Sequence, residues 1–430
     1  MSLSNRVGAV TKPVTGVVKS AAKPLKRAGR RMVLGALDAR NRQRLRSAPP
    51  RDGKQIRILL LHANGMGGTV RTVFNLAGHL ARTHDVEVVS IVKENAEPFF
   101  PIPPGVRVRY LEDRVAKPKG LLSRFPSRLI PKEEAAYHWF TLRTDIKLAR
   151  YIRSRREGVL IGTRPGLNLV TALLASPEVV TVGQEHMNLT THQPSVRSQI
   201  VRRYGKLDAL VTLTETDLRS YEAKLQDRPG VLAQIPNAVT PLTGGVSPLT
   251  DKTAVTVGRL TWQKGHDMLI RAWVHVAERH PDWTMRIIGA GKRREKLEAS
   301  IEKHGLVGKV ILEGAMKEVG PELAKASMFV LSSRHEGMPM VILEAMSKGL
   351  PVVSFDCPTG PAELITHGHD GLVIDFKKIV PLAEGICTLI EDQDMRAKLG
   401  AHALETAAGY DMEIIGNRWE TFLTSLLQRG

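Results

Sequence analysis

Arg334-His335-Glu336-Gly337-Met338-Pro339-Met340-Val341-Ile342-Leu343-Glu344-Ala345-Met346 sets two carboxylates eight residues apart, with a glycine and a proline between them. Gly337 and Pro339 forbid one continuous helix across the pair. Pro339 suits the first helical position, and Gly349, after Lys348, suits the residue just past the end. The spacing therefore predicts Glu336 in a loop and Glu344 on a short helix that begins near Pro339. Carboxylates beside an open helix start accept hydrogen bonds from sugar hydroxyls, while free backbone N–H groups face an anion. A ligand that is part sugar and part phosphate meets both demands. A loop acid and a solvated helix acid is the plainer alternative, and spacing alone leaves it open.

Outward from this stretch, the second half repeats a strand–loop–helix scheme. Thr253 to Val257 reads as a strand, Gly258 to Gly265 as a loop and His266 to Arg279 as a helix. Lys264 stands at that helix's start, where the dipole favours an anion, and with Arg259 it supplies two cations for one diphosphate. A solvated basic pair is the alternative. Strands at Met285 to Ile288, Val310 to Leu312, Met328 to Leu331 and Val352 to Phe355 follow, with helices Arg293 to His304 and Pro321 to Ala326 between them. After the last strand come Gly360-Pro361-Ala362-Glu363 and an amphipathic helix, Trp419 to Leu427. Asp392-Gln393-Asp394 lies in a polar helical stretch away from any strand end and reads as a solvated face, not a metal site.

The first half obeys the same scheme. The apolar run Ile56 to Leu61 suits a buried parallel strand, and the turn His62 to Thr69 carries Gly65, Gly67 and Gly68 before a helix, Val70 to Arg82. It lacks both the Walker spacing and the dinucleotide fingerprint. A tight βα turn and a ligand cradle are both open readings. Strands Val86 to Val92, Val159 to Gly162 and Val179 to Gly183 and a helix Tyr137 to Arg155 follow, while residues 98–132, with seven prolines, read as irregular. His186 falls just past a strand end, where it either meets a ligand or bonds to backbone. Residues 239–252 have linker composition.

The formal charge of +19 is uneven. Residues 1–54 carry 14 Lys/Arg against 2 Asp/Glu, residues 55–250 carry 26 against 17, and residues 251–430 carry 22 against 24. An acidic partner is expected at the front half, at Arg107, Arg109 and Arg114 among others. The leader mixes cations with small apolar residues, so an anionic membrane surface, a solvated tail and a transit peptide all remain open. Nucleic acid is disfavoured because no aromatics interleave the charges. No spanning apolar run or secretory h-region is present, and two cysteines make no disulfide framework, so a cytoplasmic chain, peripheral at the membrane's inner face, is expected.

Gly258-Arg259-Leu260 to Lys264-Gly265, Glu336-Gly337-Met338-Pro339 to Glu344-Ala345-Met346, and Gly360-Pro361-Ala362-Glu363 resemble, in order and spacing, retaining glycosyltransferases of family 4, the glycosyl transferases group 1, over roughly residues 55–425. The resemblance implies an α/β GT-B fold: two facing doubly wound Rossmann-like domains with a cleft between them, plus the basic N-terminal leader. The expected division is a leader at 1–54, an acceptor-side domain at 55–238, a linker at 239–252, a nucleotide-sugar domain at 253–410, and a C-terminal helix at 411–430, for which a return to the first domain is one open reading. It also implies that Arg259 and Lys264 hold a nucleotide diphosphate, Glu344 the ribose, and Glu336 the transferred sugar. Gly337, Met338 and Met340 would offer N–H groups there, Pro339 would shape the turn, Gly67 and Gly68 would approach the phosphates, and His186 would line the reaction centre. Met338 departs from the bulkier aromatic of many relatives.

The expected chemistry is transfer of a hexose from a nucleotide-diphosphate sugar, a UDP-sugar favoured, with retention and without a metal or other cofactor. Some relatives glucosylate poly(glycerol phosphate), and the basic front half favours an anionic glycan, a polyol phosphate of the cell wall or a lipid-linked acceptor. A sugar-nucleotide epimerase of similar fold and a basic membrane- or polymer-binding adaptor are the alternatives.

Overall fold

The computed structural model describes residues 53–116 and 120–429. The leader's membrane, tail and transit-peptide readings therefore lie outside the described residues, apart from Gly53 and Lys54. Two wholly parallel sheets carry the molecule. In the first, β1 (Gln55–Leu60), β2 (Asp85–Lys93), β3 (Val106–Asp113), β4 (Val159–Gly162), β5 (Val180–Glu185), β6 (Ala209–Thr212) and β7 (Val231–Gln234) lie in the order 3-2-1-4-5-6-7. In the second, β8 (Thr253–Val257), β9 (Thr284–Ile288), β10 (Val310–Gly314), β11 (Met328–Leu331), β12 (Val352–Phe355) and β13 (Gly371–Ile374) lie in the order 10-9-8-11-12-13. Both are α/β domains of the doubly wound kind. Their strand order reverses beside β1 and beside β8, and a crevice for ligands opens at the carboxyl ends of strands there.

The central strands are near-continuous apolar runs because helices cover both faces. Ile56, Ile58, Leu59 and Leu60 of β1 and Val86, Val88, Val89 and Ile91 of β2 are all buried. One expectation is corrected: residues 98–132 are not irregular throughout, because β3 forms the sheet's outer strand within them. The prolines bracket this strand rather than interrupt it, and an edge strand tolerates the exposed Arg107 on its alternating face. The expected helix from Tyr137 begins instead at Leu142, where Thr141 and Thr144 form a reciprocal cap. Asp392, read as part of a solvated face, caps the Gln393–Ala408 helix by accepting from the Met395 N–H at 2.8 Å.

The chain passes between the domains twice. The outgoing segment and the returning one touch, Val239 N–H donating to the Tyr410 carbonyl at 2.8 Å. The last helix, Met412–Gln428, then packs into the first domain, not the second. Ile415, Trp419, Phe422, Leu423 and Leu426 join the core formed by β1, β2 and the Gly68–Leu80 helix. Gly416 admits the buried His79 ring where a side chain would collide, and Arg82 pairs with Glu413 at 2.6 Å. Gly53, at the start of the described chain, lies against Leu427 at its end.

Candidate active site

After β11 the chain turns through Ser332 to Pro339 into the Met340–Met346 helix, with Pro339 in the capping position just before it. Glu336 sits in this turn, buried, and its Oε1 accepts from Lys264 Nζ at 2.7 Å and from Ser333 Oγ at 2.5 Å. Lys264 comes from the loop after β8. The two loops meet because Gly265 is left-handed, with φ of 67°, and lies so close to the Ser332 carbonyl that no Cβ fits. Arg334 clamps the same junction: it pairs with both oxygens of Asp267, at 2.9 and 2.6 Å, and stacks over Trp262 at 4.7 Å. Burial opposes ionisation of Asp267, but the Arg334 hydrogen bonds and charge outweigh it and hold the carboxyl below its ordinary range.

Glu344 projects from the short helix and meets the first domain, its Oε1 accepting from Arg71 Nη1 at 2.8 Å. Burial pushes this carboxyl up, while Arg71 and then Lys264 pull it back. Arg71 was not among the residues singled out from sequence. It lies in the first turn of the Gly68–Leu80 helix, directly after the glycine turn, and that position was the one available signal. Glu363 makes a second crossing. Its two oxygens accept from the N–H groups of Glu215 (2.7 Å) and Thr216 (3.0 Å), the free donors at the start of a first-domain helix.

Across the cleft, Gly67 caps the Gly68–Leu80 helix with no side-chain partner, and a Cβ on Gly67 or Gly68 would meet nothing within 4 Å. Packing therefore does not require these glycines, and the open space at the helix start suits close approach of a phosphate. His186 follows β5. Its carbonyl touches Gly337 of the second domain so closely that a Cβ there would lie 2.6 Å away. Burial drives the His186 imidazole down to about 4, and its Nε2 has no hydrogen-bond partner among the described residues. His186, Gly68, Arg259, Glu336, Gly337 and Met340 share the lining of a hollow of about 250 Å³ between the domains. Arg259 is exposed and enters no ion pair among the described residues. Met338 and Asn237 also line this hollow, the Met338 Sδ accepting from the Asn237 N–H at 3.3 Å. Pro339 is fixed from behind by Gly360, whose φ of 98° and contact with Pro339 exclude a side chain.

The placement of Arg107, Arg109 and Arg114 as an acceptor face is corrected. Arg107 pairs with Asp85 at 2.7 Å and Arg109 with Glu87 at 2.6 Å, near the amino ends of β2 and β3, opposite the cleft. They line a separate hollow with Gln55, Arg57 and Arg155. Arg114 is buried and consumed by Glu94 (2.6 Å), Glu112 (3.3 Å) and the Trp139 carbonyl (2.8 Å). Counting charges along a chain does not reveal that a strand-to-strand neighbour cancels them. A larger hollow of about 680 Å³ does open from the first domain beside His186 and Arg259, walled by His62, Trp139, Glu185 and His192.

Residues 245–406 match the family described as glycosyl transferases group 1. An exopolysaccharide phosphotransferase of Streptomyces coelicolor is 36% identical over 87% of this chain and 41% of its own length. A poly(glycerol-phosphate) alpha-glucosyltransferase of Bacillus subtilis is 25% identical over 67% of this chain and 46% of its own. The chain thus spans less than half of either relative. Among solved structures, a mutant of S. aureus TarM in complex with Fondaparinux, alpha-GlcNAc-glycerol and UDP superposes with a TM-score of 0.70 at 16% identity, over 86% of this chain and 99% of that one. At that identity the likeness concerns the fold, and the fold is GT-B.

Proposed function

From a chain whose residues 245–406 form a glycosyl transferases group 1 domain within a GT-B fold, we propose a retaining hexosyltransferase that takes its sugar from a nucleotide diphosphate. One observation carries the reading: Glu336, joined to Lys264 at 2.7 Å, lines one hollow with Gly68, with the His186 imidazole that burial holds neutral, and with Arg259, which enters no ion pair among the described residues. Lys264 and Arg259 neutralise the departing diphosphate, which develops charge as the bond to the anomeric carbon breaks. Glu344 accepts from the ribose hydroxyls and Glu336 from those of the sugar. The acceptor oxygen attacks from the face the phosphate leaves. Its proton passes to the departing phosphate oxygen, so neither a metal nor a carboxylate nucleophile is needed. His186, neutral above a pH of about 4, serves as a hydrogen-bonding group and not as a cation.

The UDP in the S. aureus complex favours a uridine donor, and the names of the relatives favour an exopolysaccharide or wall glycan as acceptor. The phosphotransferase name of the Streptomyces relative is not carried over, because the matched part covers only 41% of that protein. Two buried free thiols, Cys357 and Cys387, suit a reducing, cytoplasmic compartment. No described helix is long and apolar enough to cross a membrane. The test is a panel of nucleotide sugars assayed for slow hydrolysis and for a rise in Tm. One UDP-hexose is expected to give both. Interconversion of nucleotide sugars without any acceptor would make the protein an epimerase. Binding of anionic vesicles or polymers, with no sugar nucleotide bound, would make it an adaptor.

A further inference from the structure

Between β3 and the Leu142–Arg153 helix the chain runs inside out. In the short turn Leu121–Arg124 and just after it, Leu121 is 69% exposed, Leu122 41% and Phe125 48%. The polar side chains of the same stretch point inward. Ser123 Oγ donates to the buried Glu112 at 2.8 Å. Ser127 is buried, its Oγ donating to Asp145 at 2.7 Å while its carbonyl accepts from the Tyr137 hydroxyl at 2.9 Å. Backbone groups pin the stretch further: the Phe125 carbonyl accepts from the Leu142 N–H at 2.9 Å, and Asp145 accepts from the Leu129 N–H at 3.1 Å. A loop shaped only by water would turn its leucines under and leave its serines wet. Here hydrogen bonds hold the apolar side chains out, and an apolar area displayed in this way marks a contact surface. Ile146, exposed on the helix that the turn packs against, adds to it.

The charge on this face identifies the partner. From Arg114 to Lys132 the sequence contains no Asp or Glu. Arg124, Arg128 and Lys132 are exposed, and Arg124 and Lys132 enter no ion pair among the described residues. A second copy of the chain would bring the same cations against them and be repelled. Leucine and phenylalanine set among cations suit the boundary of an anionic bilayer, where apolar side chains insert and cations stay at the phosphates. We infer that residues 121–128 dock the first domain on an anionic lipid surface, with Leu121, Leu122 and Phe125 entering the headgroup layer. This contact belongs to the folded domain and is separate from the basic leader. Its place gives it a use: it follows the carboxyl end of β3, and the chain runs on through residues 133–139 into the wall of the 680 Å³ hollow. Under the glycosyltransferase reading, docking here brings the cleft to a surface that presents a lipid-borne acceptor. The docking itself does not rest on that reading.

The test uses the full chain. Cys357 and Cys387 are buried, so Leu122→Cys supplies one reactive thiol for an environment-sensitive fluorophore. Vesicles of phosphatidylglycerol mixed with phosphatidylcholine are expected to shift its emission to the blue, and vesicles of phosphatidylcholine alone are not. The same label at Val307→Cys, exposed on the second domain, should stay unshifted. Leu121→Ser with Phe125→Ser is expected to weaken cosedimentation with the anionic vesicles about tenfold, and Arg124→Glu with Lys132→Glu to do the same. Hydrolysis of the UDP-hexose in solution should keep its wild-type rate in both. Absence of vesicle binding overturns the inference. So does binding that leaves the Leu122 label unshifted, since another part of the chain then makes the contact. An equal response to the neutral vesicles overturns the anionic surface. Self-assembly of the lipid-free chain, abolished by the serine variant, would make this face a contact between copies instead. The label and sedimentation readings need no sugar nucleotide, so their failure is distinct from failure of the glycosyltransferase reading.

Discussion

The two walls of the cleft are built on opposite principles. On the second-domain wall nearly every charge is already matched: Lys264 with Glu336, Arg334 with Asp267, and Glu344 with Arg71 from across the gap. On the first-domain wall Glu185, His186 and His192 hold sealed polar atoms that make no hydrogen bond among the described residues, with Glu185 and His192 standing 3.7 Å apart. A paired wall can take a charged ligand by exchanging partners, so little reorganisation is needed when charge develops on a leaving diphosphate. One wall carries the paired charges of the proposed chemistry, and the other carries sealed polar atoms.

The largest effect that could break this contrast is expected at Lys264. Lys264→Ala removes a diphosphate cation and strands the buried Glu336, and kcat is expected to fall by about two to three orders of magnitude. EDTA is expected to leave the wild-type rate nearly unchanged. Complete inhibition by EDTA, reversed by manganese, would hand the leaving group to a metal and remove Lys264 from its role.

A smaller effect is expected at Arg71. It holds Glu344 ionised against burial, so Arg71→Ala lets the Glu344 carboxyl rise further above its ordinary range. In the proposed function Glu344 accepts ribose hydroxyls as a carboxylate. Donor kcat/KM should therefore be lost at a higher pH in the variant than in the wild type as the solution is acidified. At neutral pH the donor KM should rise about tenfold, and Arg71→Lys should recover part of it. An unshifted acid limb would mean that the cross-cleft pair only ties the domains together.

The smallest effect sharpens the same point from the structural side. Glu363 reaches the first domain without entering either hollow, and Glu363→Ala removes the partner of two helix-start N–H groups. A loss of about 1 kcal/mol in urea unfolding is expected, with donor KM unmoved. A rise in donor KM would show that domain approach itself limits binding.

On the second-domain wall Lys264, Glu336 and Glu344 were legible in the sequence, and on the first-domain wall only His186 and the glycine turn were, for a physical reason. Lys264, Glu336 and Glu344 belong to βα units with short loops, so a local spacing translates directly into a place at a strand's carboxyl end. His62, Trp139 and the Glu185–His192 stretch come from three separate segments of the chain, and only the folded sheet brings them to one hollow. Arg71 needed knowledge of the opposite domain. β3 was hidden because proline and arginine content resembles that of a loop, and the arginines on it misled because Asp85 and Glu87 of β2, each twenty-two residues earlier, reach diagonally across the parallel strands to Arg107 and Arg109.

The closing helix gives the molecule an order of completion. The second domain has all its strands by Ile374 and its last helix by Ala408, whereas the first domain, begun at Gln55, still lacks Ile415, Trp419, Phe422, Leu423 and Leu426. At about 1.5–3 kcal/mol for each large apolar side chain, these five carry roughly 10 kcal/mol, comparable with the whole stability of a domain. During synthesis the half that starts first is therefore finished last. A chain cut near residue 410 would keep the half that matches the glycosyl transferases group 1 family and forfeit the half that faces it.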